Sequence, residues 1–260
     1  MSWETLDIRT DPRGVVYVTL NRPDKRNVLS ATMIRELTEM ARTIGQDRKV
    51  RAIVLAGAGS TFCAGGDLTW MQAQMRADRA QRLHAARALA EMLFALNTTA
   101  APLIGRLQGG AFGGGIGLAC VCDVAIAAQT TRFCFSETRL GIIPATIAPY
   151  VLARMGEGHA RRVFMSARVF DAREAVELGV VARSVADNAL DAAVEAEVLP
   201  YLSVAPGAVA AAKRLARALG PRIDDTVIED SIRQLADVWE RDEAMHGVTA
   251  FLTKRDPGWS

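Results

Sequence analysis

The sequence predicts a protein of the α/β class, in which strands and helices alternate along the chain. Three observations lead to this prediction. Short runs rich in β-branched residues alternate with longer segments whose apolar residues recur at helical spacing. The strand-like runs end in glycine-rich turns, which let the backbone approach a ligand closely. After about Gly179 the composition shifts toward an alanine-rich, helical tail.

The first elements follow from local patterns. A strand is predicted at Val15–Leu20, because this run is rich in β-formers and ends at an Asn-Arg-Pro turn signal. Ser30 is a typical helix N-cap, and the apolar spacing after it predicts a helix through Met40. A second strand at residues 52–55 leads into a Gly-Ala-Gly turn, and one long helix is predicted over residues 74–96.

The middle of the chain repeats this alternation. A strand at Leu103–Leu107 leads into the glycine cluster of residues 109–117, and a helix follows. Two further strands are predicted at residues 124–127 and 132–135, each a short run of apolar and β-forming residues. This part of the chain therefore places a glycine-rich strand-to-helix junction beside two more strands.

The tail is predicted to be helical and interrupted by prolines. Residues 224–243 form one amphipathic pattern, which predicts a single helix. We expect two parts: residues 1–190 form a core that carries the functional site, and residues 191–260 form a helical subdomain. The apolar face of this subdomain is expected to pack on the core or on another subunit.

Composition excludes several classes of protein. Half of the 260 residues are hydrophobic, which is typical of a globular protein and not of a disordered or fibrous one. With 31 basic and 29 acidic residues, the net charge of +2 is too balanced to favour nucleic-acid binding. The charged N-terminal segment predicts no signal peptide, and no run of about 18 apolar residues predicts a membrane span.

Cysteine and histidine usage adds to this picture. The four cysteines contain no CxxC pair, so we expect buried thiols in a reducing compartment, the cytoplasm. The three histidines are scattered without metal-ligand spacing, so no metal site is predicted. Neither residue type therefore points to the chemistry of this protein.

The first segment that points to chemistry is the glycine-rich stretch at residues 59–68, directly after a predicted strand. Small residues there leave backbone N–H groups able to face a ligand, and Asp67 is well placed to cap the helix that follows. A plain strand-to-helix turn is the alternative interpretation.

The second segment contains the triple glycine Gly113, Gly114 and Gly115 at a strand-to-helix junction. A helix N-terminus with bare amides is suited to an anion or a developing oxyanion. The glycine spacing matches neither the dinucleotide-binding nor the Walker phosphate motif, so both sites are rejected. Close packing of a helix on a strand is the alternative interpretation.

The third segment, residues 133–144, contains Glu137 between two apolar stretches. We predict that Glu137 ends a strand and is partly desolvated there, which raises the pKa of its carboxyl group toward a useful acid–base range. A structural ion pair with Arg139 is the alternative interpretation.

Taken together, these three segments resemble the crotonase superfamily, the enoyl-CoA hydratases and isomerases. The early stretch at residues 21–29 is similar to the family's CoA-contacting segment, and the similarity extends to residues 251–255. The resemblance spans essentially the whole chain. It implies a spiral of ββα units with a C-terminal helical region that builds homotrimers, often paired into homohexamers.

The resemblance also implies the substrate and the site. The substrate is an acyl-CoA thioester, and no metal or further cofactor is expected, because coenzyme A is part of the substrate. The backbone N–H groups of Gly66 and Gly114 are expected to form an oxyanion hole, with Glu137 as the catalytic acid–base residue. The other residues implied in substrate or CoA binding are Lys25, Arg26, Val28, Ala64, Gly65, Asp67, Leu68, Gly113, Leu140, Phe251 and Lys254. Of these, Phe251 and Lys254 are expected to reach the CoA of this or a neighbouring subunit.

One departure from the family pattern concerns the reaction. Two-glutamate hydratases carry a glutamate three residues after the oxyanion-hole glycine, where this chain has Gly117. Only Glu137 remains. One carboxylate can perform hydration if it activates water and returns the proton, or if another group assists. It can also move a proton between C2 and C4. We therefore predict a 2-enoyl-CoA hydratase, with a Δ3,Δ2-enoyl-CoA isomerase or a non-catalytic acyl-CoA-binding protein as alternatives.

The substrate class is a further hypothesis from the resemblance. Gly117, with residues 136–141 and 144–150, is similar to bacterial methylglutaconyl-CoA-type and isohexenylglutaconyl-CoA-type hydratases. Those enzymes act on branched, carboxylated enoyl-CoAs in leucine and terpene breakdown. Arg139 is the candidate partner for a substrate carboxylate, and pairing of Arg139 with a surface acid is the alternative.

Overall fold

Strands and helices alternate along the chain as the sequence predicts. The computed structural model describes residues 3–259. The strands are β1 (Leu6–Thr10), β2 (Val15–Leu20), β3 (Ala52–Gly57), β4 (Leu103–Leu107), β5 (Gly110–Phe112), β6 (Val124–Ala128), β7 (Arg132–Cys134), β8 (Phe170–Asp171) and β9 (Arg183–Val185). The helices are α1 (Ala31–Arg42), α2 (Leu68–Arg76), α3 (Arg79–Asn97), α4 (Gly114–Val121), α5 (Ala148–Phe164), α6 (Ala172–Glu177), α7 (Leu190–Val198), α8 (Pro206–Leu219), α9 (Asp225–Trp239) and α10 (Asp242–Leu252).

Two sheets organise the core. The larger sheet has the strand order β1-β2-β3-β4-β6-β9, in which only the β1–β2 pair is antiparallel. The smaller sheet pairs β5 with β7 in parallel and β7 with β8 in antiparallel orientation. Parallel strands joined through helices are buried on both faces, which explains their nearly continuous apolar sequences. Strands β1, β5, β8 and β9 are too short, or too mixed in sequence, for a pattern to have predicted them.

The prediction of one long helix over residues 74–96 is wrong. The structure has two helices, α2 and α3, which are separated at Ala77 and Asp78. The Asp78 carboxylate accepts a hydrogen bond from Gln81 N at 2.8 Å, and the Gln81 side chain accepts one from Asp78 N at 3.0 Å. This reciprocal capping box starts a new helix at a position where the apolar spacing alone suggests continuity.

The predicted single helix at residues 224–243 is also two helices. Asp224 caps α9 by accepting a hydrogen bond from Val227 N at 3.1 Å, and the chain turns at Glu240 and Arg241 before α10. Helix α9 packs on α3, and Trp239 of α9 is only 2% exposed. The tail thus closes over the core of its own chain. The division of the chain into a core at residues 1–190 and a helical subdomain at residues 191–260 stays a prediction. Residues 1, 2 and 260 lie outside the described residues.

The four cysteines are buried and unpaired, as the prediction of buried thiols requires. Burial raises the pKa of Cys63, Cys120 and Cys122 to about 12, so these thiols stay protonated and unreactive at neutral pH. Within residues 3–259, no helix is both long enough and apolar enough to cross a bilayer.

Candidate active site

The loop after β3 is held to the loop before α1 by a buried asparagine. The Asn27 amide group donates to the carbonyl oxygens of Ala58 and Thr61, each at 2.8 Å. Asn27 Oδ1 accepts from Arg22 N at 2.9 Å, and the Asn27 side chain is fully buried. Sequence reasoning did not assign Asn27 a role. Its place in the stretch at residues 21–29, which is similar to the family's CoA-contacting segment, is the signal that could have found it.

A parallel bridge continues this connection toward the glycines. Leu29 N donates to Gly65 O at 2.8 Å, and Asp67 N donates to Leu29 O at 3.2 Å. In a parallel bridge, the flanking residues supply the hydrogen bonds, so the N–H of Gly66 points away from Leu29. Gly65 has a φ of +93°, a conformation that a glycine adopts readily. The loop therefore presents the Gly66 amide to the space beside it.

Asp67 performs the capping role that the sequence predicts. Its carboxylate accepts from Thr69 N at 2.8 Å and from Arg22 Nη1 at 3.0 Å. Burial would raise the pKa of Asp67, but the hydrogen bonds from Arg22 and Thr69 outweigh it and hold the pKa below its ordinary value. Asp67 is thus a charged structural anchor, which fixes the start of α2 next to Gly66.

The triple glycine supplies a second exposed amide. Gly113 has a φ of +47°, and its N–H donates to Cys134 O at 2.9 Å. Gly114 is the first residue of α4, so its N–H has no partner inside the helix. Within residues 3–259 neither Gly66 N nor Gly114 N donates to a protein acceptor. Two backbone donors are therefore available at the same cavity.

Glu137 lies opposite these glycines. The prediction that Glu137 ends a strand is wrong. Strand β7 stops at Cys134, and Glu137 begins a 3₁₀ turn, Glu137–Leu140. A Cβ atom on Gly113 would lie 2.8 Å from Glu137 Oε1, so a larger residue there would displace the carboxylate from this position. Glu137 Oε2 is buried and has no hydrogen-bond partner among the described residues. Burial raises the pKa of Glu137 to about 7.

Arg139 forms neither of the ion pairs considered from the sequence. Its Nη2 donates to Ala167 O at 3.1 Å, and no carboxylate lies within salt-bridge distance in the described part of the chain. The Arg139 carbonyl in turn accepts from the indole N–H of Trp259 at 3.1 Å. The interpretation of Glu137 as half of a structural ion pair is therefore wrong.

Most of the predicted site residues line one outer cavity of about 510 Å³. Those are Lys25, Arg26, Val28, Ala64, Gly65, Gly66, Asp67, Leu68, Gly113, Gly114, Glu137, Leu140 and Phe251. Two of the positions singled out from the sequence, Gly117 and Lys254, do not line this outer cavity. Arg22, Asp24, Thr69, Met71, Ser136 and Arg139 complete the wall. The wall therefore carries four basic side chains and three acidic ones, Asp24, Asp67 and Glu137. This excess of basic groups suits a ligand whose negative charge lies outside the glycine pair.

An inner cavity of about 70 Å³ continues beyond Gly66, Gly114 and Glu137. Its lining is mostly apolar and comes from segments far apart in the sequence. The further lining residues are Leu29, Ile34, Trp70, Met71, Leu89, Ile142, Ile143, Pro144, Thr146, Ile147, Leu235 and Trp239. No basic side chain is among them. Leu235 and Trp239 of α9 were not assigned to the site from the sequence, because nothing local links them to it.

Gly117 faces Ile147 and not the cavity. A Cβ atom at position 117 would lie 2.4 Å from Ile147 Cγ2, and Ile147 is 2% exposed. The place of a second carboxylate is therefore filled by an isoleucine, and among the described residues Glu137 is the one carboxylate that lines the inner cavity.

The arrangement can polarise a carbonyl group and move a proton. Two backbone N–H groups stabilise negative charge that develops on a carbonyl oxygen, and a desolvated carboxylate is tuned to accept and return a proton near neutral pH. In residues 3–259, no group of three or more His, Cys, Asp or Glu side chains is arranged to hold a metal ion. The ligand that fits therefore has an anionic part in the outer cavity and an apolar end in the inner cavity. Its carbonyl group lies where the two cavities meet, at Gly66 and Gly114.

Comparison with known proteins gives consistent results. Residues 10–260 match the family model described as enoyl-CoA hydratase/isomerase. A probable enoyl-CoA hydratase of Rhizobium meliloti is 34% identical over 266 residues, covering 98% of this chain and 97% of that protein. The crystal structure of an enoyl-CoA hydratase from Shewanella pealeana is similar with a TM-score of 0.81 and 35% identity, over 99% of this chain and 96% of that one. AtuE of Pseudomonas aeruginosa is 40% identical with a TM-score of 0.79, over 98% of this chain and 99% of that one.

Proposed function

The chain belongs to the enoyl-CoA hydratase/isomerase family and has the crotonase fold, and from this premise we propose that it hydrates a short, uncharged 2-enoyl-CoA. One observation carries the proposal. The buried, unpartnered carboxylate oxygen of Glu137 lies at the cavity where the amides of Gly66 and Gly114 are also exposed. A carboxylate kept without a partner in an apolar cavity costs stability, which is expected of a group retained for chemistry.

The outer cavity is proposed to hold the CoA part of the substrate. Lys25 and Arg26 line it together with Arg22, and Phe251 of α10 also forms part of its wall. Basic side chains attract the phosphate groups of CoA, while the apolar lining of the inner cavity receives the acyl chain. The thioester carbonyl then lies between them, at the two glycine amides.

The first chemical step is attack by water on C3. As the oxygen atom of water bonds to C3, the π electrons of the C2–C3 bond move toward the thioester and leave negative charge on the carbonyl oxygen. The N–H groups of Gly66 and Gly114 stabilise that charge, and such a donor is worth about 10²–10³ in rate. Ionised Glu137 accepts the proton that the water loses.

The second step returns this proton. Glu137, now neutral, donates it to C2, and the electron pair of the enolate forms the new C–H bond. The product is a 3-hydroxyacyl-CoA, and the carboxylate is regenerated. A pKa of about 7 suits both halves of the cycle, because the group is ionised in part of the molecules and still a competent acid in the intermediate.

The inner cavity supports an uncharged acyl group. A substrate carboxylate buried there would need a cationic partner, and within residues 3–259 no basic side chain lines the inner cavity. Arg139 lines only the outer cavity and donates to a backbone carbonyl. These contacts favour a short aliphatic enoyl group over the carboxylated substrates that the sequence resemblance suggested.

Assembly and location extend the proposal. Helix α8 has no buried residue and exposes Leu215 and Leu219, which supports a surface covered by a second copy, as in the family's homotrimers and homohexamers. Lys254 does not line the outer cavity of its own chain. In such an assembly, Lys254 is proposed to reach the CoA bound to a neighbouring subunit. We expect a cytoplasmic protein, since its thiols are unpaired, and expect no cofactor beyond the CoA of the substrate.

A turnover assay tests the function. Purified protein is given crotonyl-CoA, 3-methylglutaconyl-CoA and a 3-enoyl-CoA in turn, and the absorbance of the conjugated thioester is followed, with Glu137→Gln as the control variant. Loss of absorbance from crotonyl-CoA that disappears in the variant is the expected result. Preference for 3-methylglutaconyl-CoA would overturn the uncharged substrate class. Absorbance appearing only from the 3-enoyl-CoA would make the enzyme an isomerase, and no turnover of any substrate would favour a binding protein.

A further inference from the structure

We propose that the hydroxyl group of Thr146 holds the attacking water together with Glu137. The proposal rests on the hydration reaction proposed above and names a residue that replaces the missing second carboxylate. Its starting point is steric: Ile147 fills the space beside Gly117, so no acidic side chain can reach the cavity from α4.

One carboxylate alone leaves the water poorly oriented. To attack C3, the water must direct a lone pair at that carbon, so its two hydrogens point elsewhere. Glu137 accepts one hydrogen, and the other needs a second acceptor. Near-attack geometry of this kind is a large part of catalysis, because it removes orientational freedom before the reaction begins.

Among the side chains that line the inner cavity, Thr146 offers the suitable acceptor. Thr146 is 6% exposed and lines this cavity, and within residues 3–259 no protein hydrogen bond engages its hydroxyl. A hydroxyl group both donates and accepts hydrogen bonds. The indole N–H groups of Trp70 and Trp239, which line the same cavity, donate only.

The backbone around Thr146 holds it at the cavity. Ala145 N donates to Ile143 O at 2.8 Å, and Ala148 N donates to Ala145 O at 3.0 Å. Pro144 and Pro149 restrict the backbone on either side. Thr146 therefore sits on a fixed turn at the start of α5, directly before the isoleucine that excludes the second carboxylate.

In the proposed step, the water donates one hydrogen bond to Thr146 Oγ1 and the other to Glu137. The water oxygen bonds to C3, the π electrons move to the thioester, and the proton goes to Glu137 and then to C2. Thr146 keeps its own proton throughout. The hydroxide that becomes the product hydroxyl retains the hydrogen that faced Thr146, so atoms and charge balance.

Two reactions separate this role from a structural one. Hydration of crotonyl-CoA needs the held water, whereas exchange of the C2 proton of butyryl-CoA in deuterated water needs only Glu137 and the two amides. In Thr146→Val, which keeps the shape of the side chain, we expect hydration to fall about 10- to 100-fold, the size of a lost hydrogen bond to a reacting group. C2 proton exchange is expected to change less than threefold.

Two further variants complete the test. Thr146→Ser restores the hydroxyl and is expected to recover most of the lost hydration rate. Thr38→Val is the matched control, because the Thr38 hydroxyl bonds to Ile34 O within its own helix at 2.7 Å. Unchanged hydration in Thr146→Val, or equal loss of hydration and exchange, overturns the proposal. If the unmodified enzyme exchanges the C2 proton but does not hydrate, the hydration function itself fails instead.

Discussion

Ile147 occupies the space that any side chain at position 117 would need. A Cβ atom on Gly117 would lie 2.4 Å from Ile147 Cγ2 and 3.1 Å from Ile147 Cβ. Gly117 is buried in the second turn of α4, and Ile147 immediately precedes α5. The two residues therefore fix both the packing of α4 against α5 and the number of carboxylates at the inner cavity.

Gly117→Glu is expected to destabilise the protein strongly, by about 3 kcal/mol or more in the free energy of unfolding. The new side chain overpacks a buried contact and brings a carboxyl group into an apolar environment. Urea denaturation measures the effect. Adding Ile147→Ala makes room for the new side chain, so the double variant should be more stable than the sum of the two single changes predicts.

The control for this change is Gly158→Glu. Gly158 lies in α5, and a Cβ atom there meets nothing within 4 Å. We expect its stability to stay within about 0.5 kcal/mol of the unmodified protein. Equal effects at positions 117 and 158, or strict additivity of Gly117→Glu and Ile147→Ala, would show that Ile147 does not exclude a second carboxylate.

Glu137→Gln is expected to stabilise the protein at alkaline pH. Burial raises the pKa of Glu137 from an ordinary 4.5 to about 7, so the folded state binds this proton more tightly than the unfolded state does. Stability is then lost as the pH rises from about 4.5 to about 7 and stays low above that range. At about 1.4 kcal/mol for each pKa unit, this shift corresponds to a difference of about 3 to 3.5 kcal/mol.

Urea denaturation of both proteins at pH 5 and pH 8.5 measures this difference. Other titrating groups are common to the two proteins and cancel in the comparison. The variant should be the more stable at pH 8.5, with the gap shrinking toward pH 5. A gap of the same size at both values would mean that the carboxyl group of Glu137 titrates in its ordinary range.

The hydration rate is expected to rise with pH through about 7. Glu137 must be ionised to accept the proton of water, so kcat/KM should fall on the acidic side of that pKa. Glu137→Gln should lose about 10²–10⁴ in kcat/KM and show no such titration. An apparent pKa near 4.5 in the unmodified enzyme would contradict the assignment of Glu137 as the proton acceptor.

Gly113→Ala is expected to lower kcat more than tenfold. The added Cβ atom would lie 2.8 Å from Glu137 Oε1, and the φ of +47° at this position is strained for alanine. The carboxylate must move away from its working position, while the wall of the outer cavity that holds CoA is otherwise unchanged. Steady-state kinetics with crotonyl-CoA measure the effect. Gly158→Ala is the control, since a Cβ atom there meets nothing within 4 Å, and a loss of equal size in both variants would refute the argument.

Lys25→Gln is expected to raise KM for crotonyl-CoA roughly two- to fivefold at low salt, with little change in kcat. Lys25 is exposed at the mouth of the outer cavity, where an ion pair with a phosphate group is worth about as much as other exposed ion pairs. The effect should shrink as salt is added. The N-acetylcysteamine thioester of crotonic acid lacks the nucleotide, so its KM should be the same for both proteins. An equal rise for both thioesters would place the phosphates elsewhere.

Local patterns predict the elements of this fold and part of the site. The strands β2, β3 and β4 and the start of α1 at Ser30 follow from alternation and capping in adjacent residues. The glycines Gly66 and Gly114 and the desolvated Glu137 could be proposed because each stands in a short motif. The capping boundary at Asp78 was missed, since the apolar spacing on both sides continues through it.

The sequence by itself determined the α/β class, the glycine-rich turns that expose backbone amides, and the presence of glycine where a second glutamate is usual. Only the tertiary structure decided what fills that place. Ile147, Thr146 and Trp239 reach the inner cavity from the start of α5 and from α9, which lie about 30 to 120 residues from Gly117 along the chain. The physical reason is that a motif records the local backbone. The shape and charge of a cavity depend instead on side chains that meet only when distant segments pack together.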